Sequence, residues 1–328
     1  MKVTNNVHQQ FAEYFPSENL HPYIYLLSKK MSEGHICIDL NELKESDLDN
    51  LYTFRKRNIN NENLVSDGST IEPFILSNNR LYMHRYYNYE TIIFNSITQL
   101  IKSENQQKKI NEDILKEHAS FIRDLFPAEK NPDATSEINW QLVAALSAAL
   151  NKFTIITGGP GTGKTTTVAK VLAILYSINP ELRVALTAPT GKAAARMGDS
   201  LKNATSNANM PLSDQIKNSF ETIIPSTIHR LLGFQPNSIY FKHNEDNPVN
   251  YDVVIIDESS MIDVALFAKL FLALAPDTKV ILLGDKDQLA SVEAGSLFGD
   301  LCQAQENLNL FPADRGHFIN SFIENNVQ

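Results

Sequence analysis

The stretch Gly158-Gly159-Pro160-Gly161-Thr162-Gly163-Lys164-Thr165 has the spacing GxxxxGK[ST]. Glycines at those places let backbone N–H groups curl around an anion with no Cβ in the way. The β-branched, apolar run Phe153–Thr157 precedes the loop and a helical run, Thr166–Ile178, follows it. That strand–loop–helix context is the one a phosphate-binding loop requires. A helix starting there also points its positive end at the same anion. A glycine-rich turn of no chemistry is the alternative, and the flanking runs speak against it. The candidate residues for holding a nucleoside triphosphate are Gly158, Gly159, Pro160, Gly161, Thr162, Gly163, Lys164, Thr165 and Thr166. Lys164 is expected to reach the β- and γ-phosphates, and the Thr165 hydroxyl to ligate Mg²⁺.

Three further runs share the texture of Phe153–Thr157: Arg183–Thr187, Val253–Ile256 and Lys279–Leu283. Each is short, aliphatic and closed by Gly, Pro or Asp, as strands buried on both faces of a parallel sheet are. Such sheets bind ligands at the carboxyl ends of their strands. Val253–Ile256 runs into Asp257-Glu258 at that edge. Asp257 is the candidate second Mg²⁺ ligand, and Glu258 the group that orients or deprotonates an attacking water. Alone, the pair could equally be the acidic start of a helix. Gly284-Asp285-Lys286-Asp287-Gln288 closes another strand, and Gln288 can hydrogen-bond the γ-phosphate or the water; alone, it could be a surface turn. The catalytic set is therefore Lys164, Asp257, Glu258 and Gln288.

With 328 residues and roughly 150 residues per domain, two domains are expected. Hydrophobic residues at 43% and charged residues at 20% exclude a disordered chain. Two cysteines without a Cys/His cluster disfavour zinc and fit a reducing compartment. A net charge of −9 argues against coating nucleic acid by bulk electrostatics while leaving a local groove open. No run reaches the ~20 apolar residues of a membrane span; Val264–Ala275 is broken by Lys269, and MKVTNNVHQQ has no signal-peptide core. A cytoplasmic protein with no membrane contact is expected.

Residues 1–128 are richer in Asn, Tyr and charge. His35–Leu40 and Arg80–Tyr86 alternate as strands, and Tyr89–His118 has helical spacing. Two prolines in Pro127–Asp133 mark a linker over 129–137. Ile138–Asn151 reads as a helix with Trp140, Val143, Ala144, Leu146 and Leu150 inward, and Leu201–Pro225 as a polar surface insertion with one weak helix.

The phosphate loop, Thr187–Arg196 (TAPTGKAAAR), Thr227–Gly233 (TIHRLLG), the acidic pair in IIDESSM and GDKDQLASVEAG together resemble superfamily 1 DNA helicases, in that family's order. In detail they are similar to the RecD family, the alpha subunits of exodeoxyribonuclease V; GHICIDL and NRLYMHRYYNYE resemble its small N-terminal domain. The resemblance implies an α/β fold: a RecA-like P-loop NTPase domain over 138–316, its parallel sheet flanked by helices, after a small α+β partner-docking domain over 1–128. It implies ATP and Mg²⁺ as cofactors. DNA, single-stranded or being unwound, and the beta and gamma subunits of the complex are the implied partners. It implies 5′→3′ unwinding in double-strand-break repair. Gln141 corresponds to the glutamine that reads adenine, with an exposed polar helix residue as the bland alternative. Thr190, Lys192, Arg196, Thr227 and His229 correspond to the DNA path. For Lys192 and Arg196 a solvated helix face stays open, and for His229 a satisfied, half-buried ring.

A motor of this type has a second RecA-like domain supplying arginines worth ~10³–10⁵ in rate. No second set of strands follows Leu301, and residues 317–328 read as a tail. The expectation is ATP·Mg binding with slow turnover by this chain alone. The competing reading is a truncated, ATP-gated module that binds DNA or a partner without helicase activity.

Overall fold

The computed structural model describes residues 6–49, 51–52, 59, 62–127, 138–206, 210–288, 295, 297–305, 307, 309–323 and 327. The linker expected over 129–137 and the LASVEA run of 289–294 lie outside them. The chain divides into two units, Met1–Phe94 with Met261–Ala268 and Ala290–Leu297, and Asn95–Ser260 with Lys269–Leu289 and Phe298–Gln328.

The first unit opens with α1 (Val7–Glu13), whose first amides are capped by the Asn6 side chain, and α2 (His21–Ser32). Strands β1 (Cys37–Asp39), β2 (Val65–Ser66), β3 (Phe74–Ser77) and β4 (Arg80–Met83) form a sheet in the order β1-β4-β3-β2. β3 and β4 are an antiparallel hairpin, with Leu76 opposite Leu81, and only β2 runs parallel to its neighbour. Leu20, Ile24 and Leu27 of the helical side pack with Phe74 and Leu81 in one core, each such burial being worth roughly 1.5–3 kcal/mol. The strand expected to run to Tyr86 stops at Met83. His84 donates its N–H to Pro73 O (2.9 Å), and from His84 the chain is helical.

That helix, α3 (His84–Glu117), belongs to the first unit through Phe94 and to the second from Asn95. The second unit continues with α4 (Ala119–Leu125), α5 (Trp140–Leu150), β5 (Phe153–Thr157) and α6 (Lys164–Ile178). Then come β6 (Val184–Ala188), α7 (Gly191–Thr205), α8 (Asp214–Glu221), β7 (Ser226–Thr227), α9 (Ile228–Leu231) and β8 (Val253–Ile256). The chain ends with α10 (Val264–Leu272), β9 (Lys279–Gly284), α11 (Leu297–Gln303) and α12 (Ala313–Asn320). All five strands are parallel, in the order β5-β9-β8-β6-β7. β6 and β8 are buried at every position, as a sheet covered on both faces demands. This is the α/β sheet with flanking helices that the apolar runs predict, with β7 as an added two-residue edge.

Two local expectations change. Trp140 is 43% exposed; the inward face of α5 is carried by Leu142, Val143, Ala145, Leu146 and Leu150, and Trp140 stands at its first position. The polar insertion is anchored as well as exposed. Ile216 and Phe220, one turn apart on α8, are buried in the main core, with Phe220 edge-on to Tyr176 at 5.5 Å. No described helix is long and apolar enough to cross a membrane.

Candidate active site

Register brings the functional side chains to one rim. Thr157 pairs with Gly284, Ile256 with Leu282, and Thr187 with Ile256, so β5, β9, β8 and β6 end almost level. The segments that follow those four strands therefore start from the carboxyl edge.

The phosphate loop leaves β5 at Gly158. Gly161 and Gly163 have φ of +80° and +84°, a region in which a side chain costs about 1–2 kcal/mol. A Cβ on Gly163 would also come within 2.5 Å of Gln141 Nε2. Gln141 packs on the loop, its Nε2 donating to Thr162 O at 3.4 Å. Thr162 Oγ1 donates to Gly159 O (2.9 Å), pulling the loop into a tight arc. Among the described residues no side chain caps α6, so the amides of its first turn are available to an anion. Lys164 Nζ donates to the carbonyls of Gly158 and Gly159, the latter at 3.0 Å, which holds the ammonium at the mouth of the loop.

Asp257 follows β8 and is fixed by its own N–H, which donates to Thr187 O (2.9 Å). Its Oδ1 accepts from the Glu258 N–H (2.9 Å). Burial pushes the Asp257 carboxyl above its ordinary range, against the Glu258 N–H and the charges of Lys164 and Arg196. Glu258 has φ +51°, a left-handed kink directly after Asp257. Gln288 N donates to Asp285 O (3.3 Å), and its Oε1 accepts from the Ser260 hydroxyl at 3.4 Å.

Lys164, Thr165, Asp257, Glu258 and Gln288 line a single cleft of about 720 Å³ together with the phosphate loop from Gly159 to Thr166. The cleft extends along α6 and α7 to Leu125, Pro127, Lys170 and Asn203. A hydroxyl and a half-buried carboxylate are the hard oxygen donors Mg²⁺ prefers. A dication beside Asp257 would offset the burial that disfavours its charge. The donor set therefore fits the metal.

The residues expected on a DNA path take different places. Thr190 Oγ1 accepts from Ala193 N (3.2 Å) and caps α7, and Thr227 Oγ1 accepts from Arg230 N (3.3 Å) and caps α9. Ala188 pairs with Thr227 in the β6–β7 register, so both caps rise from neighbouring strand ends. Lys192 is exposed in the first turn of α7. His229 is exposed, its ring edge-on to Phe241 at 5.7 Å. Arg196 instead lines the cleft of the phosphate loop.

Sequence reading passed over Ser260, Asp285 and Lys170. Ser260 lies in the same DESSM run as the acidic pair, and Lys170 falls one turn after Thr166 on the same helical face. Lys170 is half-buried, with Nζ 4.1 Å from the centre of the Phe126 ring. Its burial pulls the ammonium below the ordinary lysine range.

Residues 141–294 match a family model described as an AAA domain, and residues 7–82 match that of the RecBCD enzyme subunit RecD, N-terminal domain. The RecBCD enzyme subunit RecD of Haemophilus influenzae is 47% identical over 176 residues, 52% of this chain and 27% of that protein. That of Buchnera aphidicola subsp. Acyrthosiphon pisum is 34% identical over 239 residues, 73% of this chain and 37% of that protein. The ATP-dependent RecD2 DNA helicase of Deinococcus radiodurans is 37% identical over 174 residues, 53% of this chain and 21% of that protein. The chain thus spans between about a fifth and two fifths of the curated relatives it matches.

Proposed function

The chain belongs to the RecD family, and from that premise we propose that it is the ATP-binding motor portion of a DNA helicase subunit. The observation that carries this reading is the single cleft in which Lys164, Thr165, Asp257, Glu258 and Gln288 converge around a phosphate loop. Loop amides and Lys164 hold the phosphates. Thr165 and Asp257 would hold Mg²⁺, which would supply positive charge to offset the charge of the phosphates. Glu258 orients and deprotonates the attacking water, and Gln288, tethered to Ser260, contacts the γ-phosphate or that water. Gln141, packed on the loop, reads the adenine.

The same premise supplies the finer reading: 5′→3′ unwinding within an exodeoxyribonuclease V complex that acts in double-strand-break repair and recombination. The region of residues 1–128 docks the beta and gamma subunits. Thr190, Lys192, Thr227 and His229, beyond β6 and β7, contact the backbone of a single DNA strand, where hydroxyls and cations position without reading sequence.

ATP binding and turnover by this chain, with and without single-stranded DNA and alongside Lys164→Ala, test the reading. Mg²⁺-dependent binding that Lys164→Ala weakens at least about tenfold is expected. Equal nucleotide affinity in the two proteins would overturn it.

A further inference from the structure

α7 is held in one rotation about its axis by its own pattern. Ala194, Met197 and Leu201 are buried on one face. Arg196, Ser200 and Asn203, four and three residues apart, share the adjoining face and line the cleft. The Thr190 cap fixes where the helix begins. Arg196 is exposed, and among the described residues no ion pair holds its guanidinium. It shares the cleft with Lys164, Asp257 and Glu258, and its charge acts on Asp257 as that of Lys164 does.

A nucleoside triphosphate in that cleft would carry more negative charge than Lys164 and one Mg²⁺ together balance, and Asp257 and Glu258 add to it. The planar fork of an arginine matches two phosphoryl oxygens at once, which a lysine cannot do. We propose that Arg196 binds the terminal phosphate of a nucleoside triphosphate, a cation supplied by the same sheet that carries the phosphate loop. The proposal rests on the reading of the cleft as a triphosphate site and assigns Arg196 to that site and not to the DNA path. A group that touches only the third phosphate separates triphosphate from diphosphate, whereas a DNA contact does not.

The experiment measures the affinities of a fluorescent ATP analogue, the matching ADP analogue and a single-stranded oligonucleotide, all with Mg²⁺. It compares the unaltered chain, Arg196→Ala, Arg196→Lys and Lys164→Ala. Arg196→Ala is expected to weaken the triphosphate about ten- to hundredfold, the range for a charge-assisted hydrogen bond. Diphosphate and oligonucleotide affinities should stay within about twofold, with Arg196→Lys falling between the unaltered chain and Arg196→Ala. Arg196→Lys also carries the test should the alanine variant fold poorly. Equal weakening of both nucleotides, or loss of oligonucleotide binding with the triphosphate unchanged, would overturn the proposal. Failure of the unaltered chain to bind either nucleotide would instead bring down the reading of the cleft, and the proposal with it.

Discussion

The two edges of the five-stranded sheet each carry a lysine whose ammonium donates to backbone carbonyls, and the two lysines serve opposite ends. At the amino edge Lys279, the first residue of β9, donates to the carbonyls of Ala148 (3.0 Å), Ala149 (2.9 Å) and Asn151, at the close of α5. These are the carbonyls a helix leaves without partners, at its negative end. Burial pulls the Lys279 ammonium down to about 7, with Lys152 and Arg315 pushing the same way and Glu104 opposing. Beside it the buried Glu104 pairs with Arg315 at 2.8 Å and accepts from the Lys152 N–H at 3.0 Å. At the carboxyl edge Lys164 also rests on carbonyls, but in a cleft where incoming oxygens can replace them. Identical chemistry becomes structural where its partners are sealed in, and functional where they can be exchanged.

Exchanging the roles would break that comparison. Lys279→Met should cost about 3 kcal/mol of folding stability, since each orphaned buried acceptor costs ~1–3 kcal/mol, with nucleotide affinity of the folded protein unchanged. Urea denaturation and calorimetric titration read the two quantities. The unaltered chain should also gain stability relative to Lys279→Met as pH rises from about 7 towards 10. Across that window the unfolded chain keeps the lysine proton and the folded chain has released it, so the slope approaches about 1.4 kcal/mol per pH unit. A flat difference between the two melting curves would show that the ammonium keeps its proton.

Lys164→Ala should do the reverse: nucleotide affinity falls by ~1.5–3 kcal/mol, with the thermal midpoint in nucleotide-free buffer unmoved. Asp257→Asn sharpens the contrast at about 1 kcal/mol. A carboxyl whose folded pKa is raised contributes stability below its unfolded value, and that stability is lost as pH climbs through the folded value. The amide avoids the loss. The variant should therefore melt higher than the unaltered chain at pH 7 while losing Mg²⁺-dependent nucleotide binding. Ser260→Ala is the smallest step. It frees Gln288 from one long hydrogen bond and should slow turnover by no more than about threefold, roughly 0.6 kcal/mol.

Four of the five parallel strands were legible because each is a run of aliphatic and β-branched residues closed by Gly, Pro or Asp, whereas β7, Ser226–Thr227, carries no such run. The loop was legible because glycines at that spacing admit the positive φ and bare backbone amides that an anion cradle uses. The end of the strand before His84 was not. The Arg80–Tyr86 alternation persists in composition, while the bond from His84 N to Pro73 O, in register with the β3–β4 ladder, is its last, since Pro73 has no N–H to return and the chain turns helical at His84. The buried face of α8 hides among Asn and Ser, with Ile216 and Phe220 as its two visible marks. The position of Arg196 depends on β6 lying beside β8, a strand order that no local pattern encodes. Thr190 and Thr227 drew notice through the resemblance to a DNA path, and their capping bonds are what N-terminal threonines make wherever helices begin.

The kink at Glu258 sets heat tolerance against chemistry. A non-glycine residue held at positive φ costs roughly 1–3 kcal/mol, so a variant library screened for thermal survival alone would enrich glycine at that position. Every winner would be a sturdier protein with no carboxylate to act on water. A screen that also demanded turnover would retain the acid and gather its stabilising changes elsewhere in the chain.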